Sequence, residues 1–105
     1  MNITLCASCD LGQSGFARPL GAALAAAGIA ASIATTDCMS GCTRASTIAF
    51  RSADKTAYLF GDLTAADLPG LVIFAQSYAA STDGNFTDAR ILGALRHKAI
   101  ARIPA

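Results

Sequence analysis

An α/β fold is predicted by three features of the chain: a β-α-β pattern up to Thr36, two β-rich runs that suit an antiparallel hairpin, and a helical pattern after them. Asn2 to Leu5 reads as a short first strand with Ile3 and Leu5 on one face, and the Cys6 thiol falls at its carboxyl end. Cys6 to Gly15 reads as a loop whose Gly12 and Gly15 suit positive φ or close approach to a bound group. In open α/β sheets ligands sit outside the carboxyl ends of strands, which is where this loop lies. From Phe16 to Ala27 the large residues Phe16, Leu20 and Leu24 recur every four positions, with Pro19 tolerable in the first turn and Gly28 as a C-terminal cap. Ile29 to Thr36 is β-prone and suits a second strand parallel to the first after a crossover.

Thr47 to Arg51 and Thr56 to Phe60 are joined by Ser52-Ala53-Asp54-Lys55, as in a hairpin, and Gly61-Asp62 ends that unit. Thr64 and Asp67 have the spacing of a capping box, while Pro69-Gly70 delays the next helix to about Leu71 to Ala80. Asp83-Gly84 is a turn signal, Thr87 caps a last helix with Ile91, Leu92 and Leu95 inward, and Ile100 to Pro104 is extended. This order is that of a thioredoxin-like sheet with helices on its faces, in one domain over residues 1–105.

A chain of 105 residues buries roughly 65% of its unfolded surface and needs no staples to hold a core. Its apolar content of 53% is rich in alanine, so small side chains pack around the large anchors Phe16, Leu20, Ile33, Phe50, Leu59, Phe60, Leu71 and Phe74. Eight basic and seven acidic residues give a net charge of +1, no footprint for nucleic acid or for an anionic membrane. The N-terminus lacks the basic and long apolar regions of a secretory signal, so the expected location is the cytoplasm, where thiols stay reduced. The most apolar window, Leu20 to Ala34, is shorter than the ~20 residues of a membrane span.

All four cysteines fall in two close pairs, Cys6-x2-Cys9 and Cys38-x3-Cys42. Paired cysteines in a reduced compartment point to metal or redox chemistry more than to disulfides. Four thiolates suit a tetrahedral zinc ion or an iron–sulfur cluster. The insert between the pairs reads as a complete helix and strand, too large for a zinc knuckle or ribbon. In a [2Fe–2S] cluster each iron takes two terminal thiolates, and its sulfides accept backbone hydrogen bonds, for which Gly12, Gly15 and Gly41 leave unhindered backbone. One iron on Cys6 and Cys9 and the other on Cys38 and Cys42 is the simple assignment, and the crossed pairing stays open at this point. Closing the intervening loop costs roughly 3 kcal/mol, so a group linking both arms stabilises the fold.

The placement of the two cysteine pairs after the first and second strands, with Thr43 and a hairpin following, resembles the thioredoxin-like [2Fe–2S] ferredoxins. It is similar also to a small bacterial family of predicted metal-binding proteins often met beside cobalamin-biosynthesis genes. The likeness runs from Leu5-Cys6 through Tyr58-Leu59-Phe60-Gly61-Asp62-Leu63 to Ala101-Arg102-Ile103-Pro104. It implies a thioredoxin-like fold, a [2Fe–2S] cluster on Cys6, Cys9, Cys38 and Cys42, homodimerisation, and a redox step linked to corrinoid metabolism. The ferredoxins of that type separate their first two ligands by about a dozen residues, whereas only Ala7 and Ser8 intervene here.

Other readings of the same residues compete with this one. Buried inert thiols would pack as small hydrophobes. A thiol–disulfide function would rest on Cys6-Ala7-Ser8-Cys9 after a strand, but the glycine-containing loop postpones the helix that would lower the thiol pKa, and it leaves the second pair without a role. His97, the one histidine, lies between Arg96 and Lys98 and reads as a solvated helix residue rather than a Rieske-like ligand. Those cations with Arg90 and Arg102 form a solvated face or a dock for an acidic redox partner. Asp10 and Asp37 read as turn residues beside ligand positions, and Tyr58 and Tyr78 as packing residues. The expected function is therefore a non-enzymatic one-electron carrier serving a redox partner protein through a partly exposed cluster edge. The alternative is a structural or metal-handling protein that binds zinc through the same four cysteines.

Overall fold

The computed structural model describes residues 1–6, 13–36, 46–86, 93 and 95–104. The chain has the expected α/β class: among the described residues there are a five-stranded mixed sheet and two helices. Strand β1 (Asn2–Cys6) leads to helix α1 (Ala17–Ala26) and strand β2 (Ser32–Thr36). Strands β3 (Ile48–Arg51) and β4 (Ala57–Phe60) follow, then a 3-10 turn (Ala65–Asp67), helix α2 (Leu68–Ala80) and strand β5 (Ala99–Ile103). The sheet order is β2-β1-β3-β4-β5; only the β1–β2 pair is parallel.

Alternation along the strands decides where the core lies. Ile3 and Leu5 in β1, Ile48 and Phe50 in β3, and Tyr58 and Phe60 in β4 share one face and are buried. Both helices cover that face. Leu20 and Leu24 come from α1, while Leu71, Phe74, Ala75 and Tyr78 come from α2. The expectation of helices on both faces is corrected accordingly for the described residues. The other face carries Thr4, Ala49, Ala57 and Leu59, none of them fully buried, and the exposed Ile103. Leu59, taken from its size as a core anchor, is only half-buried because its parity turns it to the face that no described helix covers. Ile33 is partly buried and packs against the core from the edge strand β2.

Phe74 is the hub of the core. Its ring meets those of Phe50, Phe60 and Tyr58 at 4.9, 5.0 and 5.1 Å, edge to face. Such pairs add about 0.5–1.5 kcal/mol each beyond the area they bury. The two tyrosines place their polar ends on backbone: Tyr58 Oη donates to the Gly84 carbonyl and Tyr78 Oη to the Thr56 carbonyl, both at 2.6 Å. Burial pushes both phenol pKa values up, so each hydroxyl keeps the proton it donates. Gly84 adopts φ +73° against this pair, and a Cβ there would lie 2.9 Å from the Tyr78 ring.

Capping explains where the helices stop and start. Gly28 at φ +75° lets the Ile29 amide reach the Leu24 carbonyl and its own amide reach that of Ala25, a Schellman motif. That motif takes up Ile29, so β2 begins at Ser32 rather than Ile29. The capping box is present, with the Asp67 carboxylate accepting from the Thr64 amide at 2.8 Å. Helix α2 begins at Leu68, three residues before the expected start, because Pro69 in the first turn has no amide to satisfy. Lys55 Nζ donates to the Tyr78 carbonyl at 2.7 Å, placing a cation at the helix C-terminus. The last expected helix, with Thr87, Ile91 and Leu92, lies outside the described residues; Leu95 is buried as expected.

Candidate metal centre

The candidate site grows from the carboxyl end of β1. Cys6, the last residue of that strand, is 3% exposed. On one side its Cα pairs with Thr36, the last residue of β2. On the other its amide donates to the Thr47 carbonyl at 3.2 Å, one step beyond the Leu5–Ile48 pair of the β1–β3 ladder. Cys38 follows Thr36 by two positions, and Cys42 precedes Ser46 by four. Thus the described chain on either side of residues 37–45 flanks Cys6 on both sides, as parallel β1–β2 and antiparallel β1–β3 pairing require.

The same end is closed by the segment Phe60-Gly61-Asp62-Leu63. Phe60 and Leu63 are buried, the Gly61 amide donates to the Lys98 carbonyl at 2.8 Å, and the Leu63 amide donates to the Ser46 carbonyl at 3.3 Å. Asp62 takes φ +55°, a left-handed conformation that Asp tolerates better than most residues. Lys98 Nζ reaches the Asp62 carbonyl at 2.9 Å and the Asp67 carboxylate at 2.6 Å. Burial alone would raise the Asp67 pKa, but hydrogen bonds from Lys98 and Thr64 outweigh it and hold the carboxyl below its ordinary value. This segment, singled out in the sequence for its resemblance, braces the chain that enters β3 through Ser46 and Thr47.

Thr47 was not a sequence candidate. It is 2% exposed, and its Oγ1 is a buried side-chain oxygen without a hydrogen-bond partner. Leaving such a hydroxyl unsatisfied costs about 1–3 kcal/mol. Thr47 faces Cys6 across the ladder, so their side chains project to one side with Cβ atoms about 4.5–5.5 Å apart. Its signal in the sequence is parity: counting back from inward Phe50 and Ile48 turns Thr47 away from the helices.

Cys9, Cys38 and Cys42 lie outside the described residues, as do Asp10, Asp37, Gly12 and Gly41. Among the described residues no group of three or more His, Cys, Asp or Glu side chains is arranged to hold a metal ion. His97 is exposed and accepts from Arg96 Nε at 3.2 Å, away from any second imidazole. Lys98 is not simply solvated, since it holds Asp67. A cavity of about 670 Å³ opens by the β3–β4 turn, lined by Arg51, Lys55, Leu59 and Ile103 among others. It lies at the far end of the sheet from Cys6, because Arg51 pairs with Asn2 at the start of β1.

Residues 3–105 match the family described as "Protein of unknown function (DUF1636)". The chain belongs to the DUF1636 family. No curated protein and no solved structure matches it. Among the described residues of this DUF1636 chain, no helix is long and apolar enough to cross a membrane. Of the four cysteines, Cys6 is the one among the described residues, buried at a sheet end, and in the sequence the other three stand within a few positions of described strand ends.

Proposed function

We propose that this DUF1636 protein is a thioredoxin-like [2Fe–2S] carrier that passes single electrons between partner proteins in the cytoplasm. The fold part of the reading is supported by the order β2-β1-β3-β4, with the first pair parallel and the next two antiparallel. The observation that carries the site is the flanking of Cys6 by Thr36 and Thr47. In the sequence Cys38 follows Thr36 by two positions and Cys9 follows Cys6 by three. Cys6, Cys9, Cys38 and Cys42 would hold the cluster, which supplies one-electron iron chemistry with no bond made or broken. The resemblance extends the proposal to a homodimer and to a redox step in corrinoid metabolism.

Iron and acid-labile sulfide analysis of anaerobically prepared protein tests the reading. Two irons and two sulfides per chain, with a red-brown visible spectrum, are expected. Colourless protein carrying one zinc per chain would replace it with the four-thiolate zinc protein. Cys42→Ser should abolish or strongly alter the visible spectrum, and an unchanged spectrum would remove that residue from the ligand set.

A further inference from the structure

The sheet has two edges, and only one of them is defended against pairing with another chain. At the β5 edge Arg102 supplies a charge, a register shift beside Leu59 and Phe60 disturbs the β4–β5 ladder, and Pro104 follows the strand. The β2 edge has none of these. Its residues Ser32 to Thr36 are uncharged, their register with β1 is unbroken, and Ser32, Ala34 and Thr35 are exposed. None of the eight basic and seven acidic residues falls between Pro19 and Thr36. Helix α1, whose Gly21 lies against the Ile33 side chain, therefore adds no charge beside this edge beyond Arg18 in its first turn. We infer that β2 is the surface by which two copies of this chain associate, antiparallel, into one continuous sheet. The inference gives a surface to the homodimer proposed above and needs no bound cluster.

Backbone direction fixes the register. The Ser32 amide donates to the Met1 carbonyl at 3.0 Å, so Ser32, Ala34 and Thr36 turn their amides toward β1. Ile33 and Thr35 point their N–H and C=O groups the other way, where among the described residues no strand pairs with them. These two residues stand symmetrically about Ala34. A second copy placed antiparallel on a two-fold axis at Ala34 sets Ile33 of each copy opposite Thr35 of the other, and each such pair exchanges two hydrogen bonds. An isologous contact needs a self-complementary surface, which this symmetry supplies. Both residues are β-branched and lie on the helix-covered face, where they form cross-strand pairs. On the opposite face the two Ala34 residues meet in a non-hydrogen-bonded pair, with Cα atoms about 4.5 Å apart.

The test is sedimentation equilibrium of the full chain, prepared anaerobically, with iron and sulfide measured on each sample so that cluster loss and dissociation are read separately. Wild type should sediment at twice the chain mass of 10.6 kDa. Thr35→Pro removes an outward amide that the β1 ladder does not use, and Ala34→Lys sets two cations face to face across the axis. Both should sediment as monomers with the circular dichroism of wild type. Ile103→Lys places the same charge on the opposite edge strand and should remain dimeric. The Cα separation at Ala34 falls within the roughly 4.4–6.8 Å that disulfides span. Ala34→Cys, oxidised with diamide, should therefore cross-link position 34 to itself, as read by peptide mass spectrometry. A wild-type monomer overturns both the inference and the homodimer, and leaves the cluster reading intact. A dimer that survives Thr35→Pro and Ala34→Lys, or that Ile103→Lys dissociates, overturns the β2 interface alone. Absence of the cross-link in a dimeric Ala34→Cys protein overturns it as well. If Thr35→Pro loses its fold, Ala34→Lys and the cross-link decide.

Discussion

Asp67 shows how a single carboxylate can tie three parts of this chain together. It accepts from the Thr64 amide and from Lys98 Nζ, and Lys98 in turn holds the Asp62 carbonyl. The pair is largely shielded, with side chains 14% and 25% exposed, so it is worth more than an open surface pair. Because the folded-state pKa lies below the unfolded value of about 3.9, its contribution is fully present above that pH and is lost as pH falls through the folded pKa. Asp67→Asn should therefore cost about 1 kcal/mol in chemical denaturation at pH 7, with the gap to wild type closing in acid. A gap that persists undiminished at pH 2 would assign the effect to geometry rather than charge. At this scale the sequence was partly legible: the Thr64 to Asp67 spacing announces the capping box, whereas Lys98 comes from 31 positions away and shows only as one cation among several.

Helix α2 and the sheet illustrate which elements pattern alone can place. Leu71, Phe74, Ala75 and Tyr78 recur at helical spacing, and all four are buried. The helix start is harder to read, because Pro69 breaks a helix interior but suits a first turn. Likewise Leu59 looks like an anchor by size, and only strand parity sends it to the face that no described helix covers. Phe74 reaches rings on β3 and β4, which makes it the joint between helix and sheet. Phe74→Ala should lower the unfolding free energy by about 3–5 kcal/mol, measurable by urea denaturation. A loss below 1 kcal/mol would mean that the surrounding rings collapse into the space.

Across the whole molecule, the α/β class, the crossover and the hairpin follow from the sequence because each rests on local periodicity. Strand order does not, since it depends on which edges pair across long separations. Nor does Thr47 stand out, because its burial follows from neighbours that meet only after folding. If the proposed cluster bridges the two cysteine pairs, loading should stabilise the chain as a unit, because it closes a long loop, worth roughly 3 kcal/mol. The thermal midpoint of loaded protein should exceed that of chelator-stripped protein, and equal midpoints would mean that the two pairs are not bridged. The β3–β4 turn, with exposed Asp54 at φ +62°, lies at the opposite pole from Cys6, separated by the ~13 Å length of β1. A biotin-acceptor peptide inserted beside Asp54 would thus moor the molecule to a surface with its sulfur-bearing pole turned outward. That orientation suits voltammetry of an immobilised monolayer.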